Sequence, residues 1–436
     1  MKNKIFILLL GLFFVLQLIN QLYMPIPSMI QMGIVILLFL IVEKQSLLGL
    51  FCFTIMLSSS VLLYVENIIF VVALIYKFRK EIRISKAFIV VILIFLWELT
   101  HVFINVNNGF NESLIYTIGF GTCLLPFAII KNIAKAMNVR KTLYLFFIGY
   151  FGFTIIIFLS YYQTFGTFDI TGNVNRFGYS AHAGTEDINS RVLLINPNTI
   201  GIYSALIISS VIVLRHLKRL RIDFLSVMML IYALFIGLMT LSRTFILVTV
   251  LTIFIYFIVQ INNKFILRWL MLISTVLLTV YFVLSQTQII DMLKRRIFET
   301  NDISGNRLTI FNQYIHLVFR EESILFFGVG MQNYIEKIKR FNGYIDSATH
   351  NIVLEVLTIW GILGIVLVLF LFYSSIDIKN LKEIGRLSDI VVKLLPLLVV
   401  IISAFFGQYF ISFYHTFCFT FYALLILNVK EVRYFD

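Results

Sequence analysis

Apolar runs of membrane-crossing length, separated by short polar breaks, repeat along nearly all of this 436-residue chain. A helix that crosses a bilayer needs about 20 apolar residues, within a range of roughly 17–25. By that measure the runs 5–22, 26–42, 47–64, 65–76, 87–104, 113–130, 142–162, 192–214, 222–241, 244–261, 266–285, 351–373, 388–410 and 413–429 read as 14 transmembrane helices. The run 65–76 is short for a crossing and could instead extend 47–64 into one tilted helix, so the expected count is 12–14. Two breaks exceed what a turn needs: 163–191, rich in Gly, Asn and Thr, and 286–350. Connections longer than about 12–15 residues tend to be functional or disordered. The second is patterned: Leu308, Phe311, Ile315 and Val318 recur at helical spacing, as do Tyr334, Ile335, Ile338 and Phe341. These stretches predict short amphipathic helices on the outer surface. The expected architecture is all-α and polytopic. It comprises N-terminal helices in 1–162, an extracytoplasmic loop at 163–191, central helices in 192–285, a large extracytoplasmic loop at 286–350 and C-terminal helices in 351–436.

Composition removes the soluble alternative. Hydrophobic residues make up 60% of the chain and charged residues 13%, with 45 Phe and 21 Tyr. A soluble protein this apolar could not cover its own surface. The net charge of +13 would suggest nucleic acid in a soluble protein, but here it reports topology, because Lys and Arg gather in loops that stay in the cytoplasm. With the N-terminus inside and 14 spans, 23 of the 35 Lys and Arg fall on or beside cytoplasmic segments. Outside the largest loop, the outer segments hold only Arg176, Arg191 and Arg243. Merging 47–76 into one span would break this pattern, so the charges predict a hairpin turning near Glu66-Asn67, with both termini cytoplasmic. The first run follows Lys2 and Lys4 but precedes no small-x-small cleavage site, and is expected to stay as an uncleaved span. Cys52, Cys123 and Cys418 lie within apolar runs and read as small core fillers.

The remaining polar residues carry the candidate chemistry, since charge inside a membrane is costly. Glu98 and His101 share a helix face near the outer end of one span. His350 and Glu355 lie about one turn apart at the outer start of another. Arg243 occupies an outer turn, Lys393 can snorkel to the inner surface, and His415 falls in the last outer turn. Arginines with histidine and carboxylates at the outer face suit an anionic substrate presented from the membrane, because guanidinium binds phosphate bidentately. No acidic pair has Asp-x-Asp spacing, so neither metal nor other cofactor is expected. Structural readings stand beside these: Arg243 as an interfacial helix cap, Arg176 and Arg191 as solvated loop charges, His101 as a bonded interior histidine, and Glu98 as a structural helix partner. Lys294, Arg295 and Arg296 suit contact with anionic lipid headgroups.

Several short elements, in this order, resemble the O-antigen ligase and polymerase superfamily. They are Arg191 with Asn196-Pro197-Asn198, the turn Leu241-Ser242-Arg243-Thr244, Ser304-Gly305-Asn306-Arg307, Phe327-Gly328-Val329-Gly330, and Thr349-His350-Asn351 leading to Gly361-Ile362-Leu363-Gly364. The resemblance covers roughly 190–370. One departure is Asn306, which stands between Gly305 and Arg307 where the family often has Arg directly after Ser-Gly.

The resemblance implies a multi-pass glycosyltransferase of the bacterial cytoplasmic membrane, metal-independent and inverting, acting at its outer face. Its donor would be an undecaprenyl-pyrophosphate-linked oligosaccharide and its acceptor a growing O-antigen, capsule or exopolysaccharide chain. Polymerisation is the preferred expectation; ligase-type transfer to a lipid or protein acceptor shares the motifs. A lipid-linked oligosaccharide flippase or secondary transporter, and a purely structural membrane partner, are the alternatives from other classes. Arg191, Arg243 and Arg307 are expected to bind pyrophosphate, with Arg176, Asn198 and Asn351 as further substrate contacts. His350 is the first candidate for acceptor activation, with Glu98 or Glu355 as the alternative base. The lipid bilayer, and a flippase and a chain-length regulator protein, are further candidate partners; nucleic acid is not.

Overall fold

A computed structural model describes residues 2–58, 60–104, 110–166, 176–178, 196–217, 224–260, 274, 307–342, 348–383, 386–407, 409–411 and 413–429. These residues form 17 α-helices and, among the described residues, no strand. In chain order the helices are α1 (Lys2–Leu22), α2 (Ser28–Ile41), α3 (Leu47–Leu57), α4 (Ser60–Phe78), α5 (Lys86–Ile104), α6 (Phe110–Ile133) and α7 (Val139–Phe165). Then come α8 (Pro197–His216), α9 (Phe224–Met239), α10 (Arg243–Gln260), α11 (Arg307–Arg320), α12 (Glu322–Phe327) and α13 (Tyr334–Asn342). The last are α14 (Ile352–Ser375), α15 (Ile378–Glu383), α16 (Leu387–Ala404) and α17 (Phe413–Asn428). Seven are long and apolar enough to cross a membrane, and shorter apolar helices accompany them. The protein is an all-α polytopic membrane protein. The expected span at 266–285, apart from residue 274, lies outside the described residues.

The expected hairpin in 47–76 is present, but it turns elsewhere. α3 ends at Leu57 and α4 begins at Ser60, so the break precedes Glu66-Asn67 by several residues. Lys44 pairs with Glu81, and Lys77 Nζ donates to the Val42 carbonyl at 2.8 Å. The start of α3 and the end of α4 therefore lie at one end of the bundle, as a hairpin requires. Glu66 and Asn67 are interior groups of α4. Glu66 accepts from the Ser58 hydroxyl, and Asn67 Nδ2 donates to Thr122 Oγ1 at 2.7 Å on α6. A polar pair in a span can mark interhelical bonding as well as a turn.

α17 forms the centre. All its residues except His415 and Thr416 are buried, and α6 and α16 pack against it. A helix that is apolar all round has to be covered all round. Cys52, Cys123 and Cys418 are buried in this core. Within 286–350 the two predicted helices exist as α11 and α13, but α11 does not lie on the surface by its expected stripe. Leu308 is 64% exposed, whereas Ile310, Tyr314, Leu317 and Val318 are buried. The face turns because α11 packs on α12, α13 and α14 together.

Candidate functional site

The loop that follows α12 is seated on a break in α14. Gly361 has φ 67° and ψ −165°, so the helix is interrupted there. The interruption leaves the Thr358 and Ile359 carbonyls to accept the N–H groups of Val329 at 3.0 Å and Gly330 at 2.8 Å. The two backbones touch. A Cβ at Gly361 would lie 2.2 Å from the Phe326 oxygen, and one at Gly328 2.2 Å from the Ile359 oxygen. Only glycine fits both the contact and the positive φ. Glu98 locks this seat: one carboxylate oxygen accepts from Met331 N–H at 3.0 Å and the other from Trp360 Nε1 at 2.6 Å. His101 Nε2 lies 3.1 Å from the Phe327 carbonyl oxygen and donates to it. Glu98 thus sits buried in a latch between α5, α14 and the loop.

The seat fixes the start of α14 and with it His350. Asn351 caps the helix, its Oδ1 accepting from Val353 N–H at 2.9 Å and Leu354 N–H at 3.1 Å, and its Nδ2 donates to the Phe405 carbonyl at 3.3 Å. His350 adopts φ 50°, a left-handed conformation that is strained for a non-glycine residue. Such strain persists only where the surroundings over-determine it, and it marks the residue for attention. Glu355, fully buried one turn on, accepts from Tyr409 N–H at 2.8 Å and Ile411 N–H at 3.1 Å. It binds the start of α14 to the turn between α16 and α17. Burial and the neighbouring Arg307 guanidinium hold the His350 imidazole below its usual pKa.

A second set of bonds builds the opposite wall. Asn196 caps α8, accepting from Asn198 N–H at 2.9 Å, with Pro197 at the first helical position. Asn198 Oδ1 accepts from Arg176 Nη2 at 2.7 Å and from Ser242 Oγ at 3.1 Å. Arg176 Nε also donates to the Thr240 carbonyl at 3.0 Å, and Phe177 N–H to the Met239 carbonyl at 3.1 Å. The turn closes through Leu241 at φ 49°, and Arg243 follows as the first residue of α10. Arg176 is therefore tied to the Ser242-Arg243 turn and is no free loop charge. Arg191 lies outside the described residues.

Between the two walls is a cavity of about 500 Å³, lined by Leu63, Tyr64, Asn196, Asn198, Thr199, Ile202, Tyr203, His350, Ser403, Phe406, Tyr409, Tyr414, His415, Phe419 and their neighbours. The first turns of α4, α8 and α17 reach it, as does His350 just before the N-cap of α14, against the single C-terminal end of α16. Helix N-termini carry partial positive charge and favour anions. Of the residues expected from sequence, His350 and Asn198 face this cavity, Arg176 joins through Asn198, and Arg307 neighbours His350. Arg243 follows Ser242, whose hydroxyl bonds the lining residue Asn198. Asn351, Glu98 and Glu355 hold backbone in place. Tyr203 and His415 were not singled out as site residues by sequence reasoning, although a histidine at the mouth of an apolar span was a signal. Their side chains meet at 2.6 Å, Tyr203 hydroxyl to His415 Nδ1.

Residues 227–369 match the family model described as O-antigen ligase. They include Arg243, Arg307, the seat at Gly328 and Gly361, and His350. No curated protein matches the chain.

Proposed function

From the premise that residues 227–369 carry the O-antigen ligase domain, we propose that this protein is a polysaccharide polymerase at the outer face of the bacterial cytoplasmic membrane. It takes undecaprenyl-pyrophosphate-linked oligosaccharide repeat units as donors. The observation that carries this reading is one cavity with His350 on one wall and the Arg176–Asn198–Ser242 network on the other, at converging helix N-termini.

The chemistry follows. An acceptor sugar hydroxyl attacks the anomeric carbon of the donor from the face opposite the pyrophosphate. The new C–O bond forms as the bond to pyrophosphate breaks, which inverts the configuration. His350, held neutral by burial and by Arg307, takes the hydroxyl proton. The departing undecaprenyl pyrophosphate carries away the bonding electron pair. Its growing charge meets arginine and helix N-termini that are already in place, and such preorganised donors stabilise the transition state more than flexible ones. Arg243, Arg307 and Arg191 are the guanidinium groups assigned to it, with Arg176 and Asn198 as the bonded scaffold behind them. Glu98 and Glu355 are assigned latch roles, because both oxygens of each already accept N–H groups.

The test is purified protein in vesicles without an ion gradient, given undecaprenyl-pyrophosphoryl repeat units. Longer glycans on the undecaprenyl carrier are the expected product. Glycan found only on a foreign lipid or protein acceptor would establish ligation instead, and lipid-linked units moved across the bilayer without chain growth would establish a transporter.

A further inference from the structure

The cavity lining has features that the proton transfer and the pyrophosphate contacts do not use. His415 Nδ1 is bonded to the Tyr203 hydroxyl at 2.6 Å, but its Nε2 is buried and has no hydrogen-bond partner among the described residues. Ser403 Oγ, on a residue 4% exposed in the same lining, is also buried without a partner among the described residues. Buried polar groups are nearly always paired, so such groups in one cavity lining call for an explanation. A phenol is a better donor than an imidazole N–H is toward a phenol oxygen. Tyr203 therefore donates to Nδ1, which leaves the proton on Nε2 as a fixed donor. Tyr203 is itself held with its ring centroid 4.4 Å from that of Phe419.

The surroundings select the class of ligand. Among the described residues lining this cavity there is no Lys, Arg, Asp or Glu, so the lining itself suits the uncharged part of a ligand, while Arg243 and Arg307, assigned to pyrophosphate, lie outside it. The lining offers the rings of Tyr64, Phe406 and Phe419 with a few uncharged polar groups. A sugar ring has this chemistry: apolar C–H faces that lie on aromatic rings, and hydroxyls that need fixed partners. We propose that Tyr203 and His415 are the positioning pair of a sugar subsite, in which His415 Nε2–H donates to one hydroxyl of a glycan ring and Ser403 bonds a second. This rests on the polymerase reading and deepens it. A ring held there lies in the same cavity as His350.

The experiment measures binding and turnover separately, with full-length protein in lipid nanodiscs. The probe is a single-repeat oligosaccharide released by partial acid hydrolysis of the polysaccharide that the producing cells make. His415→Ala is expected to weaken binding roughly 3- to 10-fold, the worth of one neutral hydrogen bond, and to raise KM by the same factor with kcat little changed. His415→Gln, whose amide nitrogen reaches the position of Nε2, should restore most of both. Tyr203→Phe, which frees the tautomer, should fall between. A KM effect on the oligosaccharide places the acceptor ring in the subsite; an effect on the lipid-linked unit places the donor ring there. Binding by His415→Ala equal to that of the parent protein overturns the proposal, as does failure of His415→Gln to restore it, or no oligosaccharide binding by the parent. If His415→Ala does not insert, the comparison of His415→Gln and Tyr203→Phe with the parent decides. Absence of chain growth by the parent protein would count against the polymerase reading alone, because the binding arm is read without turnover.

Discussion

Glu98 and Glu355 are buried acids in an apolar bundle, yet each uses both oxygens to hold N–H groups. Glu98→Gln keeps the shape but turns an NH₂ toward a donor, so one buried N–H loses its acceptor at a cost of about 1–3 kcal/mol. The expected outcome is a lower unfolding temperature with turnover per folded molecule retained; a folded Glu98→Gln protein without activity would return Glu98 to the chemistry. His350 behaves differently. As a base it must be neutral, and burial with Arg307 lowers its pKa below the usual 6.5. Activity should therefore be level above that value and fall as the pH drops through the depressed pKa. Removing the nearby positive charge eases protonation, so Arg307→Gln should move the acid limb to higher pH; an unmoved limb in the kcat profile would refute the assignment. For the leaving group, Arg243→Lys keeps charge but loses the guanidinium fork. Turnover per inserted molecule should drop roughly 10²–10³-fold, whereas Arg340→Ala, which breaks only an exposed pair with Glu336, should change it little. Near-normal activity of Arg243→Lys would leave that residue as an interfacial cap.

Among the helices, the decisive contact is between α12 and the break in α14. A side chain at Gly361 meets backbone, which cannot rotate away, and the positive φ alone costs about 1–3 kcal/mol. Gly361→Ala should lower the unfolding temperature in detergent sharply and loosen the outer loop. Gly33→Ala, with nothing within 4 Å and an ordinary helical position, should leave stability unchanged or slightly raised. Equal behaviour of the two variants would mean that the seat does not hold the loop. The glycine spacing was visible in the sequence. What it does was not, because its meaning lies in a partner backbone some 30 residues away. The same limit applies to Glu66-Asn67, read as a turn and found as interior bonds to Ser58 and Thr122.

At the scale of the whole molecule, the charge pattern orients the bundle. Reporter fusions after Lys80, Arg140, Lys218 and Arg386 should read cytoplasmic, and fusions within 165–190 and 290–345 should read external. With α4 starting at Ser60, a reporter inserted at Ser60 should read external and one after Lys80 internal; an external signal after Lys80 would dissolve the α3–α4 hairpin.

The sequence by itself determined that the chain is all-helical and membrane-embedded, because burial in lipid demands continuous apolar runs and leaves that demand written in order along the chain. Its resemblance to the O-antigen ligase and polymerase superfamily also marked His350, Asn198 and the glycine elements. The tertiary structure alone decided which of these share a cavity. Arg176 reaches Asn198 and the Thr240 carbonyl from a separate loop, Tyr203 meets His415 across 212 positions, and Glu98 closes on Trp360 across 262. Each of these pairs satisfies a buried donor, and the partner that satisfies it is chosen by packing in three dimensions, which helical periodicity does not encode.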